Sequence, residues 1–121
     1  TFANKSNIDA MAISVGNTHL QTSKKASIDF NKINLIEAKT KIPLVLHGSS
    51  GIPVEQRKKL ARKTKVAKLN IGTEIRMTFG EALRRNLKNN PKTYDRLQLL
   101  KPTIKDLEKV TKKIIKQIGP K

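Results

Sequence analysis

The sequence predicts an α/β fold in which a small parallel sheet is covered by helices. Three short segments, 9–15, 44–46 and 66–73, are apolar runs that end in small or polar residues. Such runs are typical of strands buried on both faces, as in parallel sheets. A helical pattern follows each run, and this alternation favours parallel strands joined by helical crossovers. No repeat or linker divides the chain, so we predict a single unit over residues 1–121.

The helices of the first half are indicated by apolar spacing and by the residues that begin them. Residues 1–8 have the pattern of a helix end. Apolar residues recur at helical spacing over 30–36, and Asp29 precedes them as a candidate N-cap. The next helix is predicted over about 53–65, because it opens with a proline followed by an acidic residue.

The C-terminal third is predicted to be largely helical. Residues 75–87 place one apolar stripe on a helix, which an Asn-Asn-Pro sequence ends. Residues 94–100 give no clear assignment. The last helix is predicted over 102–118, with Asp106 as its capping acid and a Gly-Pro pair at its end.

Composition restricts the class of protein. The 26 Lys and Arg against 9 Asp and Glu give a formal net charge of +17, so nucleic-acid binding has to be considered. The four aromatic residues are not interleaved with the basic ones, and basic runs such as 57–59 are interpreted as solvated helix faces. Without cysteine, any metal site must use histidine or carboxylate ligands. No apolar run approaches the ~20 residues of a membrane span, so we expect a cytoplasmic protein.

The functional prediction depends on the residues that follow the three strands. His19 follows the first strand, His47-Gly48-Ser49-Ser50-Gly51 the second, and Asn70-Ile71-Gly72-Thr73 the third. The carboxyl ends of parallel strands open on one side of a sheet, so these groups should converge. Two imidazoles form part of a zinc site, and small-residue turns at helix N-termini suit a phosphate dianion.

Each of these signals also has a purely structural explanation. A histidine at a strand end is more often a hydrogen-bonded structural residue than a ligand. Gly48 and Gly51 could serve only the turn, and Asn70 or Thr73 could cap the next helix. Both histidines of the chain, however, follow successive strands beside small polar residues, which favours the functional interpretation.

Three motifs, at 9–19, 43–53 and 68–76, resemble the C-terminal half of class II, zinc-dependent ketose-bisphosphate aldolases. This is the family of fructose- and tagatose-bisphosphate aldolases. The resemblance implies the C-terminal part of a TIM (β/α)8 barrel with a C-terminal helical extension. It also implies reversible aldol cleavage of a ketose 1,6-bisphosphate to dihydroxyacetone phosphate and an aldehyde phosphate, in a homo-oligomeric full-length enzyme, dimer or tetramer.

The resemblance also implies roles for individual residues. His19 and His47 match two of three zinc-binding histidines, and Asn70 matches the residue that contacts the triose. The phosphate site, with which a monovalent cation is often associated, is matched by the backbone of Leu20 and by Gly48, Ser49, Ser50, Ile71, Gly72 and Thr73. The third histidine and the acid/base aspartate are expected in the N-terminal half, so the catalytic acid/base is unknown and the fragment alone should be inactive.

Two other functions are weighed against the aldolase. A basic α/β module could bind nucleic acid, gripping its phosphates with the Gly/Ser loops. A barrel relative without catalytic activity is suggested only by Leu20, because the family usually has glycine directly after the first histidine. We expect no membrane partner and favour a phosphorylated ketose over nucleic acid as the ligand, despite the charge of +17.

Overall fold

The computed structural model describes residues 2–119 and confirms the predicted α/β fold. Thr1 and Pro120, which belong to predicted helix ends, lie outside the described residues, as does Lys121. Six helices and three strands follow one another in this order: α1 Phe2–Lys5, β1 Met11–Ile13, α2 Phe30–Lys39, β2 Leu44–Leu46, α3 Val54–Lys63, β3 Val66–Leu69, α4 Thr73–Asn89, α5 Arg96–Leu100 and α6 Thr103–Ile118. A single 3₁₀ turn, Ser49–Gly51, lies between β2 and α3.

The three strands form one parallel sheet in the order β1-β2-β3. Met11 pairs with Leu44 and Ile13 with Leu46, so their side chains share one face of the sheet. Leu44 and Leu46 are fully buried on this face. The parallel direction brings the carboxyl ends of all three strands to the same edge, as predicted.

The strands were predicted to be buried on both faces of the sheet. This prediction was wrong for β1 and β3, which are buried on one face at most. On the second face, Ala12 and Lys68 are exposed, and Val45 between them is half-buried. The reason is that the hydrophobic cluster of the described residues lies on the first face, where α2 and α3 contribute the fully buried Ile33 and Leu60. Burying each such side chain stabilises the fold by about 1.5–3 kcal/mol.

The helix ends are partly as predicted. Asp29 caps α2, since its side chain accepts a hydrogen bond of 2.9 Å from the Lys32 N–H. The unassigned segment contains α5, which Asp95 caps. Asp106 lies in the first turn of α6, as predicted, but its side chain does not cap the helix. It accepts a 2.5 Å bond from Arg85 of α4 instead and so joins two helices.

The C-terminal helices pack mainly on one another, with α6 against both α3 and α4. No helix within residues 2–119 is long and apolar enough to cross a membrane.

An ionic cluster connects the turn after β2 to the start of α4. Glu74, in the first turn of α4, accepts hydrogen bonds from Arg57 at 2.5 Å and from Lys24 at 3.0 Å. Its backbone N–H donates to the Ser50 hydroxyl at 3.1 Å. Burial by itself would raise the pKa of Glu74, but the hydrogen bonds and charges of Arg57 and Lys24 outweigh burial and hold that pKa below its ordinary value.

The lowered pKa of Glu74 predicts an acid-sensitive stability. Its stabilising effect is complete above the ordinary value of 4.5 and is lost as the pH falls through the lower folded-state pKa. We expect Glu74→Gln to reduce the free energy of unfolding at pH 7 by about 1–3 kcal/mol and to flatten its decline below pH 4.5.

Denaturant unfolding of the full-length protein at several pH values measures both effects. The matched control is Glu108→Gln, because Glu108 pairs with Lys112 on an exposed helix face. This control should leave the pH profile of the wild type unchanged. Parallel profiles for the wild type and Glu74→Gln would show that Glu74 does not produce the acid sensitivity.

Candidate functional site

The carboxyl edge of the sheet opens into a cavity of about 500 Å³. Nine of the ten residues predicted for the site lie on its wall: His19, Leu20, His47, Gly48, Ser50, Asn70, Ile71, Gly72 and Thr73. Leu69 and Arg76 complete the lining. Ser49 is the exception, because it lies beneath the wall rather than on it. The loops after three separate strands therefore meet, as the parallel topology requires.

The two histidines lie side by side at the cavity. Their ring centroids are 5.6 Å apart, the ring planes are inclined by 46°, and both residues are exposed. Two neighbouring imidazoles are a donor set that suits zinc, which takes three protein ligands at a catalytic site. Residues 2–119 contain no group of three histidines, cysteines or carboxylates able to hold a metal. The histidines fit two of the three positions of such a site.

An asparagine that sequence reasoning did not single out holds the two histidine loops together. The side chain of Asn17 donates to the His47 carbonyl at 3.0 Å and accepts from the Val15 N–H at 2.8 Å. The loops also touch directly at Gly48, where a Cβ would collide with the Thr18 carbonyl. Gly48 has φ +63°, a conformation that favours glycine.

Asn70 faces the second histidine. Its side-chain nitrogen lies 3.2 Å from Nδ1 and 3.3 Å from Nε2 of His47. The backbone carbonyl of Asn70 accepts a hydrogen bond of 3.1 Å from the Ser49 N–H. The end of β3 is thus connected both to the imidazole and to the turn that follows it.

The two serines of the turn differ in what they offer a ligand. Ser49 is fully buried, and its hydroxyl donates to the Leu46 carbonyl at 3.1 Å. The Ser50 hydroxyl accepts from the Glu74 N–H and keeps its own hydrogen for a further acceptor. Ser50 therefore has a donor available at the cavity, whereas Ser49 braces the turn from below.

The start of α4 gives the opposite wall of the cavity its positive character. This helix has 17 residues, and its N-cap, Gly72, makes no side-chain capping hydrogen bond. The free N–H groups and the helix dipole at such an end attract anions. Arg76, one turn further on, adds a guanidinium to the same wall.

The sequence analysis missed the residues that support the site from behind. Arg57 is fully buried, although the basic run 57–59 was interpreted as a solvated face. A signal was present, because Arg57 lies three residues before the buried Leu60 and therefore on the inward side of α3. Lys24 and Glu74 had no comparable signal, since their pairing joins positions 50 residues apart.

The chain is similar to known proteins over nearly its whole length. The model of one protein family, described as "Fructose-bisphosphate aldolase class-II", matches residues 1–121. Among curated proteins, the 6-phospho-5-dehydro-2-deoxy-D-gluconate aldolase of Shouchella clausii (strain KSM-K16) is 35% identical over 118 residues, which are 98% of this chain and 40% of that protein. The protein of the same name from Bacillus subtilis (strain 168) is 35% identical over 115 residues, 95% of this chain and 39% of its own length.

Two solved structures share the fold. The YdjI aldolase from Escherichia coli K12 superposes with a TM-score of 0.74 at 26% identity, over 98% of this chain and 41% of its own. A putative fructose-1,6-biphosphate aldolase from Coccidioides immitis superposes with a TM-score of 0.74 at 19% identity, over 95% of this chain and 39% of its own. The chain thus spans about 40% of the length of these relatives, and its three strands form part of a (β/α)8 barrel. By the match of its full length to the family model, the chain belongs to the class II fructose-bisphosphate aldolase family.

Proposed function

We propose that this chain holds the metal and the phosphorylated triose of a zinc-dependent aldolase that cleaves and condenses phosphorylated keto-sugars. The single observation that carries the proposal is the shared cavity, where two imidazoles 5.6 Å apart face two turns of small residues at helix N-termini. The arrangement can hold a metal ion and a phosphate dianion at the two ends of one small ketone.

The chemistry of two candidate substrates supports a common binding half. A ketose 1,6-bisphosphate yields dihydroxyacetone phosphate and an aldehyde phosphate on aldol cleavage. The substrate in the name of the curated relatives, 6-phospho-5-dehydro-2-deoxy-D-gluconate, carries a ketone beside a phosphorylated carbon. Its aldol cleavage also gives dihydroxyacetone phosphate, together with a short aldehyde that bears a carboxylate. We propose that the residues of this chain bind the shared triose phosphate and leave recognition of the aldehyde to the rest of the enzyme.

His19 and His47 are the proposed zinc ligands, with a third histidine in the remainder of the barrel. Bound zinc supplies a Lewis acid at the ketone oxygen. Asn70, whose side chain lies beside His47, is the residue that we propose contacts the triose portion. The aspartate that transfers the proton is also assigned to the remainder of the barrel, so residues 1–121 form one unit that requires it for activity.

The phosphate ligands are proposed from the cavity wall. Backbone N–H groups of Leu20, Gly48 and the segment Ile71-Gly72-Thr73 act with the Ser50 hydroxyl, and Ser49 holds the turn in place. We also propose a monovalent cation at this site, as the resemblance to the family implies. The dianion bound here supplies remote binding energy that fixes the ketone at the metal.

Two further parts of the proposal concern the whole enzyme. We place the enzyme in the cytoplasm, as a homo-oligomer of two or four chains. The cavity favours a phosphorylated ketose over nucleic acid as the ligand. Binding of a nucleic-acid backbone depends on cationic side chains and would leave the paired histidines of the cavity without a function. Leu20 has φ +57°, a left-handed backbone that a glycine would also adopt, and this supports the active aldolase over the catalytically inactive alternative.

The proposal is tested by assaying the full-length protein for release of dihydroxyacetone phosphate. The substrates are fructose 1,6-bisphosphate, tagatose 1,6-bisphosphate and 6-phospho-5-dehydro-2-deoxy-D-gluconate, each compared with its form lacking the phosphate beside the ketone. We expect cleavage of at least one phosphorylated substrate and a strong loss without that phosphate. Equal turnover of both forms would contradict the phosphate site, and no turnover of any substrate would contradict the aldolase.

Metal dependence is the second prediction. A chelator should abolish cleavage and added Zn²⁺ should restore it, and His47→Ala should lower the bound zinc content and reduce kcat/KM by more than about 100-fold. Metal analysis of purified protein and steady-state kinetics measure these effects. Asp9→Asn is the control, because Asp9 is exposed at the opposite end of β1. Full activity and zinc content in His47→Ala would rule out its role as a ligand.

The conformation of Leu20 gives a third prediction. A left-handed conformation costs a leucine about 1–2 kcal/mol, and Leu20 as a whole residue is 73% exposed, so little packing is lost on truncation. We expect Leu20→Gly to stabilise the protein by about 0.5–1 kcal/mol after the entropy cost of glycine. Leu35→Gly is the matched control, at 65% exposure inside α2, and should destabilise by about 1 kcal/mol. Thermal unfolding compares the two, and equal losses of stability would show that Leu20 is not strained.

A further inference from the structure

Arg57 is a fully buried cation directly behind the turn that follows β2. Its Nε donates to the Ser49 carbonyl at 3.0 Å, and its Nη2 donates to the Ser50 carbonyl at 2.8 Å. The same guanidinium pairs with Glu74 at 2.5 Å and reaches the Gln117 side chain at 3.5 Å. One side chain of α3 therefore contacts two consecutive carbonyls of the turn, the first turn of α4, and α6.

The contact with the Ser49 carbonyl bears on the direction of the following N–H. This carbonyl accepts from Arg57 and, at 3.3 Å, from the Ile52 N–H, so the side chain acts together with the turn's own hydrogen bond. In a planar trans peptide, the C=O and the following N–H point in opposite directions. Because the Ser49 carbonyl is turned toward Arg57, the Ser50 N–H is turned away from it. Ser50 lies on the wall of the cavity. Within residues 2–119, its N–H donates no hydrogen bond to a backbone carbonyl outside the turn Ser49–Gly51.

We propose that Arg57 is a positioning residue of the phosphate site, which fixes the Ser49–Ser50 peptide so that the Ser50 N–H is presented to the phosphate. The inference rests on the proposed function, in which this turn binds the phosphate of the triose. Arg57 itself has no exposed surface and does not touch the ligand. It acts through the turn, with hydrogen bonds from a charged donor, which are stronger than those between neutral groups.

The planar geometry of the guanidinium is essential to this role. Arginine presents several donors in a rigid fork, whereas the ammonium of lysine is a compact point charge. Glu74 balances the buried charge and, through its N–H to the Ser50 hydroxyl, holds the other side of the same residue. Lys24 supports Glu74 from the exposed side at 3.0 Å. The turn is therefore held in one conformation before any ligand binds.

The test compares ligand binding by the full-length zinc-loaded protein with that of Arg57→Met and Arg57→Lys. Calorimetry measures the Kd of dihydroxyacetone phosphate and of unphosphorylated dihydroxyacetone. We expect Arg57→Met to raise the Kd of the phosphorylated ligand about 10-fold, equal to about 1.4 kcal/mol, and to leave the other Kd and the zinc content within about twofold. Arg57→Lys should raise the Kd of the phosphorylated ligand by a smaller factor and should likewise leave the Kd of dihydroxyacetone unchanged.

Arg62→Met is the matched control, because Arg62 is an exposed arginine on the same helix. It should leave both Kd values unchanged. A merely structural role predicts a lower Tm for Arg57→Met with an unchanged Kd, or an equal loss for both ligands, and either result overturns the inference. If Arg57→Met does not fold, Arg57→Lys decides, and an unchanged Kd there also overturns it.

The outcomes separate this inference from the proposed function. If the wild type binds dihydroxyacetone phosphate and cleaves a substrate while the Arg57 variants bind the phosphate normally, only the inference fails. If the wild type binds the phosphorylated ligand in an Arg57-dependent way and cleaves none of the tested sugars, the inference stands and the aldolase proposal fails. If the wild type does not bind the phosphorylated ligand, both fail.

Discussion

The packing of α2 and α3 on one face of the sheet is the constraint on which the remaining structure depends. Ile33 and Leu60 meet Leu44 and Leu46 there, all without solvent exposure. Since side chains alternate along a strand, a shift of β2 by one residue would turn Leu44 and Leu46 to the other face of the sheet. The hydrophobic effect therefore sets the register of β2, and the register sets the height at which its carboxyl end and His47 emerge.

Beyond the ends of the strands, polar contacts take over from apolar packing. Asn17 joins the two histidine loops, and Arg57 holds the turn after β2. Buried carbonyls in irregular segments must find donors, because leaving them unpaired would cost about 1–3 kcal/mol each. The same requirement that satisfies these carbonyls also orders the loops. Structural support and preparation for ligand binding are thus achieved by the same hydrogen bonds.

Charge in this chain serves two different purposes. Most of the excess of +17 lies on exposed helix faces such as that of α6, where pairs like Lys112–Glu108 are solvated and contribute little. Arg57 is wholly buried and Glu74 is half-buried, so each charge compensates the other where water cannot fully solvate them. The net charge is therefore a poor guide to the ligand, because it is dominated by solvated surface residues. The positions of the few buried charges are more informative about the binding site.

The sequence by itself determined the elements and the composition of the cavity wall. Uninterrupted apolar runs predict parallel strands, and parallel strands must bring His19, His47 and Asn70 to one edge, because all carboxyl ends point the same way. Only the tertiary structure decided what lies behind that wall. The burial of Arg57, its pairing with Glu74, the interior position of Ser49 and the α4 partner of Asp106 depend on contacts between residues distant in sequence. Local spacing carries no information on which distant groups a fold brings within hydrogen-bonding distance.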